Sequence, residues 1–132
     1  MLKQGSYSSV LPSQREMNIL EYLWLHKAAS SSELYQAFGH LWQLRPQVVH
    51  GMLQIMLERG FLERHVEQSR AVYKPALSRT ELENSILGYV AETFFHGSLS
   101  ALWSSLVRHP KLRLALEPTA KRLTLEPIRQ PN

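Results

Sequence analysis

Gln47 and Gln54 stand seven residues apart in a stretch of helical spacing, so both side-chain amides can face one groove together. Each could hold an adenine edge through two hydrogen bonds, a contact worth about 1–3 kcal/mol of discrimination in the major groove of DNA. Two solubilising glutamines on an exposed helix face would look the same. His50 and Gly51 lie between them. Gly51 costs roughly 1 kcal/mol relative to alanine inside a helix, and either permits close approach to DNA or relieves crowding against a neighbouring helix. Arg45 just precedes the stretch, and Arg64, Arg70 and Lys74 follow in a β-prone region. These cations suit phosphate contacts, and Gln68-Ser69 between them suits backbone or minor-groove contact. Charges also solubilise any exposed hairpin, and Glu63 and Glu67 offset much of this set.

Other chemistry finds no support. The six histidines (26, 40, 50, 65, 96 and 109) show no H-E-x-x-H or comparable ligand spacing, and cysteine is absent. No serine sits in a nucleophile elbow, and no glycine-rich phosphate loop occurs. Glu16, Glu21 and Glu33 read as caps and helix surface. Neither an enzyme, a metal site nor a cofactor is expected.

The elements that must position the candidate residues have clear local signals. Apolar residues at Val49, Met52, Leu53, Met56 and Leu57 form one helical face. Pro46 suits the first helical position and Gly60 the left-handed position after the last turn, which places a helix over residues 46–59. Two β-prone runs follow, Phe61 to Val66 and Arg70 to Lys74, separated by Glu67-Gln68-Ser69. Upstream, Ser13-Gln14-Arg15-Glu16 and Ser30-Ser31-Ser32-Glu33 have the pattern of capping boxes. The first opens a helix with Met17, Leu20, Leu23 and Trp24 on one face. The second opens a short helix through Leu34, Tyr35, Ala37 and Phe38, which Gly39 can end. The following loop, His40 to Leu44, is more apolar than a solvated loop, so Leu41, Trp42 or Leu44 should tuck into the core. Three helices and then a β-ribbon is the order of a winged helix-turn-helix.

A third box, Ser78-Arg79-Thr80-Glu81, begins further helices. Leu82, Ile86, Leu87, Val90, Phe94 and Phe95 continue, after a break at Gly97-Ser98, into Leu99, Leu102, Trp103 and Leu106. This face is larger than a small winged helix can cover, and such a surplus implies a second copy. From His109-Pro110 onward prolines recur and basic residues outnumber acidic ones. Leu114-Ala115-Leu116-Glu117-Pro118 nearly repeats as Leu123-Thr124-Leu125-Glu126-Pro127. The echo reflects either chance or two short units docking alike on a dimer.

Bulk properties agree with that division. The 132 residues carry a net charge of +4 and 44% hydrophobic residues, an ordinary globular balance that permits nucleic-acid binding without demanding it. The expected organisation is a flexible arm over residues 1–12, a winged helix-turn-helix over 13–77, dimerisation helices over 78–108 and a proline-containing basic tail over 109–132. The fold class is mainly α with a small β-hairpin. No signal segment or apolar run near the roughly 18–20 residues of a membrane span is present, so a soluble cytoplasmic protein without membrane contact is expected.

The chain resembles the penicillinase-repressor family. Leu11-Pro12-Ser13-Gln14-Arg15-Glu16 through Leu23-Trp24 is similar to its opening, and Leu57-Glu58-Arg59-Gly60-Phe61-Leu62 to its passage from recognition helix to wing. Tyr73-Lys74-Pro75 with the capped helix beyond, and Phe94-Phe95-His96-Gly97-Ser98-Leu99, resemble its dimerisation segment. The likeness spans about residues 11–108. It implies a bacterial homodimeric transcriptional repressor on a dyad-symmetric operator of double-stranded DNA, with residues 46–59 in the major groove. Family members are commonly released by proteolysis, but the Asn-Phe pair of the best-known members is missing near Ser105-Leu106. A copper-responsive branch uses a cysteine cluster that this chain lacks.

The recognition helix departs from the family, which tends to place Thr or Ser and Lys or Arg on its DNA side. Here those positions hold Val48, His50, Gly51, Gln54 and Ile55, with Glu58 beyond. Two readings therefore stand. In one, Arg45, Arg64 and Arg70 position the protein and Gln47, His50 and Gln54 read bases. In the other, the fold and dimer persist as an interaction module with a protein partner on the recognition-helix face.

Overall fold

A computed structural model of the chain describes residues 11–116, omitting the side chains of Arg113, Ala115 and Leu116. All three serine–glutamate boxes are formed. Ser13 Oγ accepts from the Glu16 amide at 3.2 Å while the Ser13 amide donates to Glu16 Oε1 at 2.9 Å. The boxes at Ser30/Glu33 and Ser78/Glu81 repeat the exchange. They open α1 (Gln14–His26), α2 (Ser31–Leu34) and α4 (Arg79–Phe94). Between α2 and α4 come α3 (Pro46–Glu58) and an antiparallel hairpin of β1 (Leu62–Glu67) and β2 (Arg70–Pro75). After α4 follow α5 (Leu99–Arg108) and α6 (Pro110–Leu116). The fold is mainly α with one hairpin, a winged helix-turn-helix followed by further helices.

Four local outcomes differ from the expectations. The second helix does not end at Gly39. It passes into a π-helical turn, Tyr35–Gly39, and continues to Trp42. Gln43, at φ 58°, terminates it: its amide reaches the His40 carbonyl and the Leu44 amide reaches Gly39, the paired bonds of a Schellman motif. Gly39 is small for a different reason, since a β-carbon there would collide with the Tyr35 ring. Trp42 and Leu44 do pack against the core, whereas Leu41 is exposed. The hairpin turn has two residues instead of three, because Glu67 pairs with Arg70 and leaves only Gln68 and Ser69 between the strands. The sheet also gains a third edge, where Ala29 and Tyr73 exchange backbone hydrogen bonds of 3.1 and 2.8 Å. Lastly, Pro110 opens α6 instead of breaking the chain, as a residue without an amide hydrogen can at a helix start.

The chain forms two units, dividing between Ile86 and Leu87 within α4. The core of the first is built from Ile19, Leu20 and Leu23 of α1, Leu34 of α2, Val49, Leu53 and Met56 of α3, and Phe61, Leu62 and Tyr73 around the hairpin. Leu82, only 3% exposed, completes that core, and Leu77 and Ile86 pack against it. The first unit thus runs beyond residue 77, because one stripe of α4 covers the winged helix. Trp24 Nε1 donates to the Leu77 carbonyl at 2.9 Å and fastens the approach to α4.

In the second unit Gly97, at φ 81°, turns the chain after α4, and Ser98 Oγ accepts from the Ala101 amide to start α5. Ala91 and Leu102 are buried there. Residues 1–10, which hold most of the expected arm, and residues 117–132, which hold the second copy of the leucine–proline echo, lie outside the described residues.

Candidate nucleic-acid interface

The interface begins with the way α3 is held. Arg45 is extended at its N-cap, Pro46 occupies the first turn, and Gly60 at φ 84° ends it. The Gly60 amide donates to the Leu57 carbonyl and the Phe61 amide to Met56, a second Schellman closure that feeds directly into β1. With Val49, Leu53 and Met56 fully buried, the opposite face of α3 must turn outward. Gln47, Val48, His50, Ile55 and Glu58 are exposed on it, and Gly51 and Gln54 are half-buried. A β-carbon at Gly51 would meet no atom within 4 Å, so relief of crowding does not explain this glycine.

Gln54 is less free than Gln47. Its Nε2 lies 3.5 Å from the Tyr73 hydroxyl, at the outer limit of a hydrogen bond. Tyr73 is 1% exposed and bridged to Ala29, so it links the hairpin to α3. Sequence reasoning saw Tyr73 as a β-prone residue and as part of the Tyr73-Lys74-Pro75 likeness, with no partner on the preceding helix. Arg64 pairs directly across the strands with Tyr73, and cross-strand partners share one face of a sheet. Arg64 therefore stands on the face of the wing that addresses α3, exposed and without an ion pair among the described residues.

Arg70 and Lys74 are placed differently. Arg70 Nη2 lies 3.4 Å from Glu33 Oε2, and Lys74 Nζ lies 2.9 Å from Glu67 Oε2. The Ser30 amide, joined by Arg70, holds the Glu33 carboxyl below its ordinary pKa. The Lys74 hydrogen bond does the same for Glu67. Both cations already have intramolecular partners. Gln68 and Ser69 form the exposed tip, with φ of 53° and 65°.

Arg59, which follows the last residue of α3, is engaged inside the protomer. Its Nη1 reaches both carboxylate oxygens of Glu16, at 2.7 and 3.0 Å, and its Nη2 donates to the Leu11 carbonyl at 2.7 Å. Glu16 thus caps α1 and binds the end of α3 at once. The cap was readable from the Ser-x-x-Glu pattern, but nothing in local sequence marks the long-range partner.

The residues expected to join protomers divide in two. Leu82 belongs to the core of the first unit, Ile86 packs against that core, and Leu102 is buried within the protomer. Val90 and Phe95 are half-buried. Leu87, Phe94, Leu99, Trp103 and Leu106 are exposed, Phe94 to 62% and Trp103 to 65%.

Two comparisons bear on this architecture. The chain is 19% identical over 100 residues to the penicillinase repressor of Bacillus licheniformis, an alignment covering 76% of this chain and 78% of that protein. A family model described as the penicillinase repressor matches residues 12–117. That span runs from the first capping box through α3, the hairpin and α4–α6, and on it the chain belongs to the penicillinase repressor family of transcriptional repressors.

Proposed function

We propose that this chain is a homodimeric repressor that binds a dyad-symmetric operator in double-stranded DNA, in the bacterial cytoplasm. The observation that carries the reading is the outward strip of Gln47, Gly51 and Gln54 on a helix whose other face is locked in the core, beside a wing that presents Arg64. Arg45 and Arg64 are suited to phosphates on either side of the groove, and Gln47, His50 and Gln54 to base edges. Arg70 and Lys74 join the phosphate contacts by exchanging Glu33 and Glu67 for DNA. The exposed Phe94, Leu99 and Trp103 supply the apolar surface for a second copy. Symmetric half-sites follow from a two-fold dimer.

The test is fluorescence anisotropy with duplexes from the protein's genomic neighbourhood and with random duplexes, at several salt concentrations. A sequence-preferred complex that weakens with salt is expected, with a shallow slope for a dimeric repressor because few cations are free. The exposed Val48 and Ile55 favour a second reading, a winged-helix interaction module for a protein partner. Absence of any sequence-preferred DNA would select that reading.

A further inference from the structure

Val48 and Ile55 are the anomaly on the outward face of α3. They are 45% and 50% exposed on a surface otherwise made of amides, a histidine, a glycine and a glutamate. β-Branched side chains are also mediocre helix formers, so both positions are unfavourable in the free chain on two counts. Seven residues apart, they share one stripe and stand about 10 Å apart along the helix axis. That is roughly three base-pair steps of ~3.4 Å.

The side chains on the face limit what it can read. Arginine or lysine is the usual bidentate partner of guanine, and neither lies on the outward face of α3. Arg59, at its end, is bound to Glu16 and to the Leu11 carbonyl. Glu58 occupies the last helical position, about one turn beyond Gln54 and Ile55. What remains besides His50 is amides, which suit adenine, along one side of the strip, and apolar groups along the other. An A·T pair displays adenine N6 and N7 beside the thymine 5-methyl group in the major groove. Arg45 and Arg64, both exposed and without an ion pair among the described residues, supply the positive flanks that a duplex requires.

We propose that Val48 and Ile55 read thymine 5-methyl groups, so that the half-site positions they and the amides meet are A·T pairs, held by amides on one side of the helix and by methyl contacts on the other. The inference rests on the DNA-binding reading above and assigns the base chemistry it would use.

The experiment starts by selecting from a randomised duplex library with the full-length protein. Each thymine of the enriched duplex is then replaced singly by deoxyuridine, which removes only the 5-methyl group. Affinity is expected to fall about four-fold for each contacted methyl, the value of one buried carbon group. The salt slope should stay unchanged, because no phosphate contact is lost. Val48→Ala should erase the thymine–uracil difference at one position of the half-site and Ile55→Ala at another. Both sites are exposed, so circular dichroism should be unaltered. An enriched duplex that binds equally well with uracil throughout would overturn the inference and leave the DNA-binding reading standing. So would alanine variants that keep the full thymine preference. A library that yields no enriched sequence overturns both.

Discussion

Glu33 shows how much one side chain can be asked to do. Its carboxylate accepts from the Ser30 amide to cap α2 and faces Arg70 on the wing. Glu33→Gln keeps an acceptor for the cap while removing the charge that holds Arg70. Binding to random duplex is expected to strengthen several-fold in this variant, with little change in melting temperature, as anisotropy and thermal unfolding would show. The lowered pKa values of Glu33 and Glu67 fix the sign of a related pH effect. A carboxyl with a depressed folded-state pKa contributes stability above its unfolded value of about 4.3, lost as pH falls through the folded value. Wing stability should therefore be flat near neutrality and decline below about pH 4. The effect is small, since both groups are exposed. Gly51 sits at the opposite extreme, touching nothing. Gly51→Ala should raise stability by about 1 kcal/mol in urea unfolding, the helix-propensity difference. A simultaneous loss of operator affinity would mark the position as one of close approach to DNA.

The hairpin and the recognition helix are both held by features that act beyond their own strand or turn. Gln68 and Ser69 both adopt positive φ, as a two-residue turn matched to strand twist requires, yet neither is glycine. Replacing Ser69 with glycine should stabilise the hairpin by on the order of 1 kcal/mol, the usual cost of a left-handed side-chain-bearing residue. If the tip contacts the DNA backbone, that gain in unfolding midpoint will be accompanied by weaker binding to all sequences alike. At the base of α3, Glu16→Gln preserves the acceptor for the Ser13 amide but leaves Arg59 without its carboxylate. Charged hydrogen bonds of this kind contribute about 1.5–3 kcal/mol. The expected result is a lower denaturant midpoint with an unchanged m-value, because the pair ties helices together without altering how much surface unfolds. A neutral outcome would mean that the ion pair contributes nothing to stability beyond its desolvation cost.

At the scale of the molecule, the exposed apolar residues of the second unit set the expected assembly. Phe94, Leu99 and Trp103 project from α4 and α5 while Leu82 and Leu102 are already buried. Trp103→Asp should therefore yield a monomer near 15.2 kDa in sedimentation, with the winged helix still folded, since no protomer core is disturbed. A monomeric wild type at tens of micromolar would refute the dimer. Leu102→Asp is expected to act differently and destabilise the protomer itself, because it places an unpaired carboxylate in a buried position. Comparing the two variants separates assembly from folding.

Much of this architecture follows from residues close together in the chain. Ser13, Ser30 and Ser78 each find a glutamate three positions on, and Pro46 and Gly60 bracket α3 through backbone geometry that only their own bonds decide. Apolar spacing turned Val49, Leu53 and Met56 inward and so left Gln47, Val48 and Ile55 outside. These signals depend on helical pitch, capping hydrogen bonds and φ, all properties of a few neighbouring residues, and they were sufficient to recognise the fold. Other features came from the tertiary structure alone. Arg59 went to Glu16 and Arg70 to Glu33, and Ala29 became a third edge of the sheet. Leu82 joined the protomer core, and Ile86 packed against it, although their periodicity matched that of the exposed Leu87 and Phe94. A charge or an apolar side chain carries no mark of its distant partner. Which carboxylate meets which arginine, and which stripe of a helix meets its own core, is set by how the folded elements approach one another.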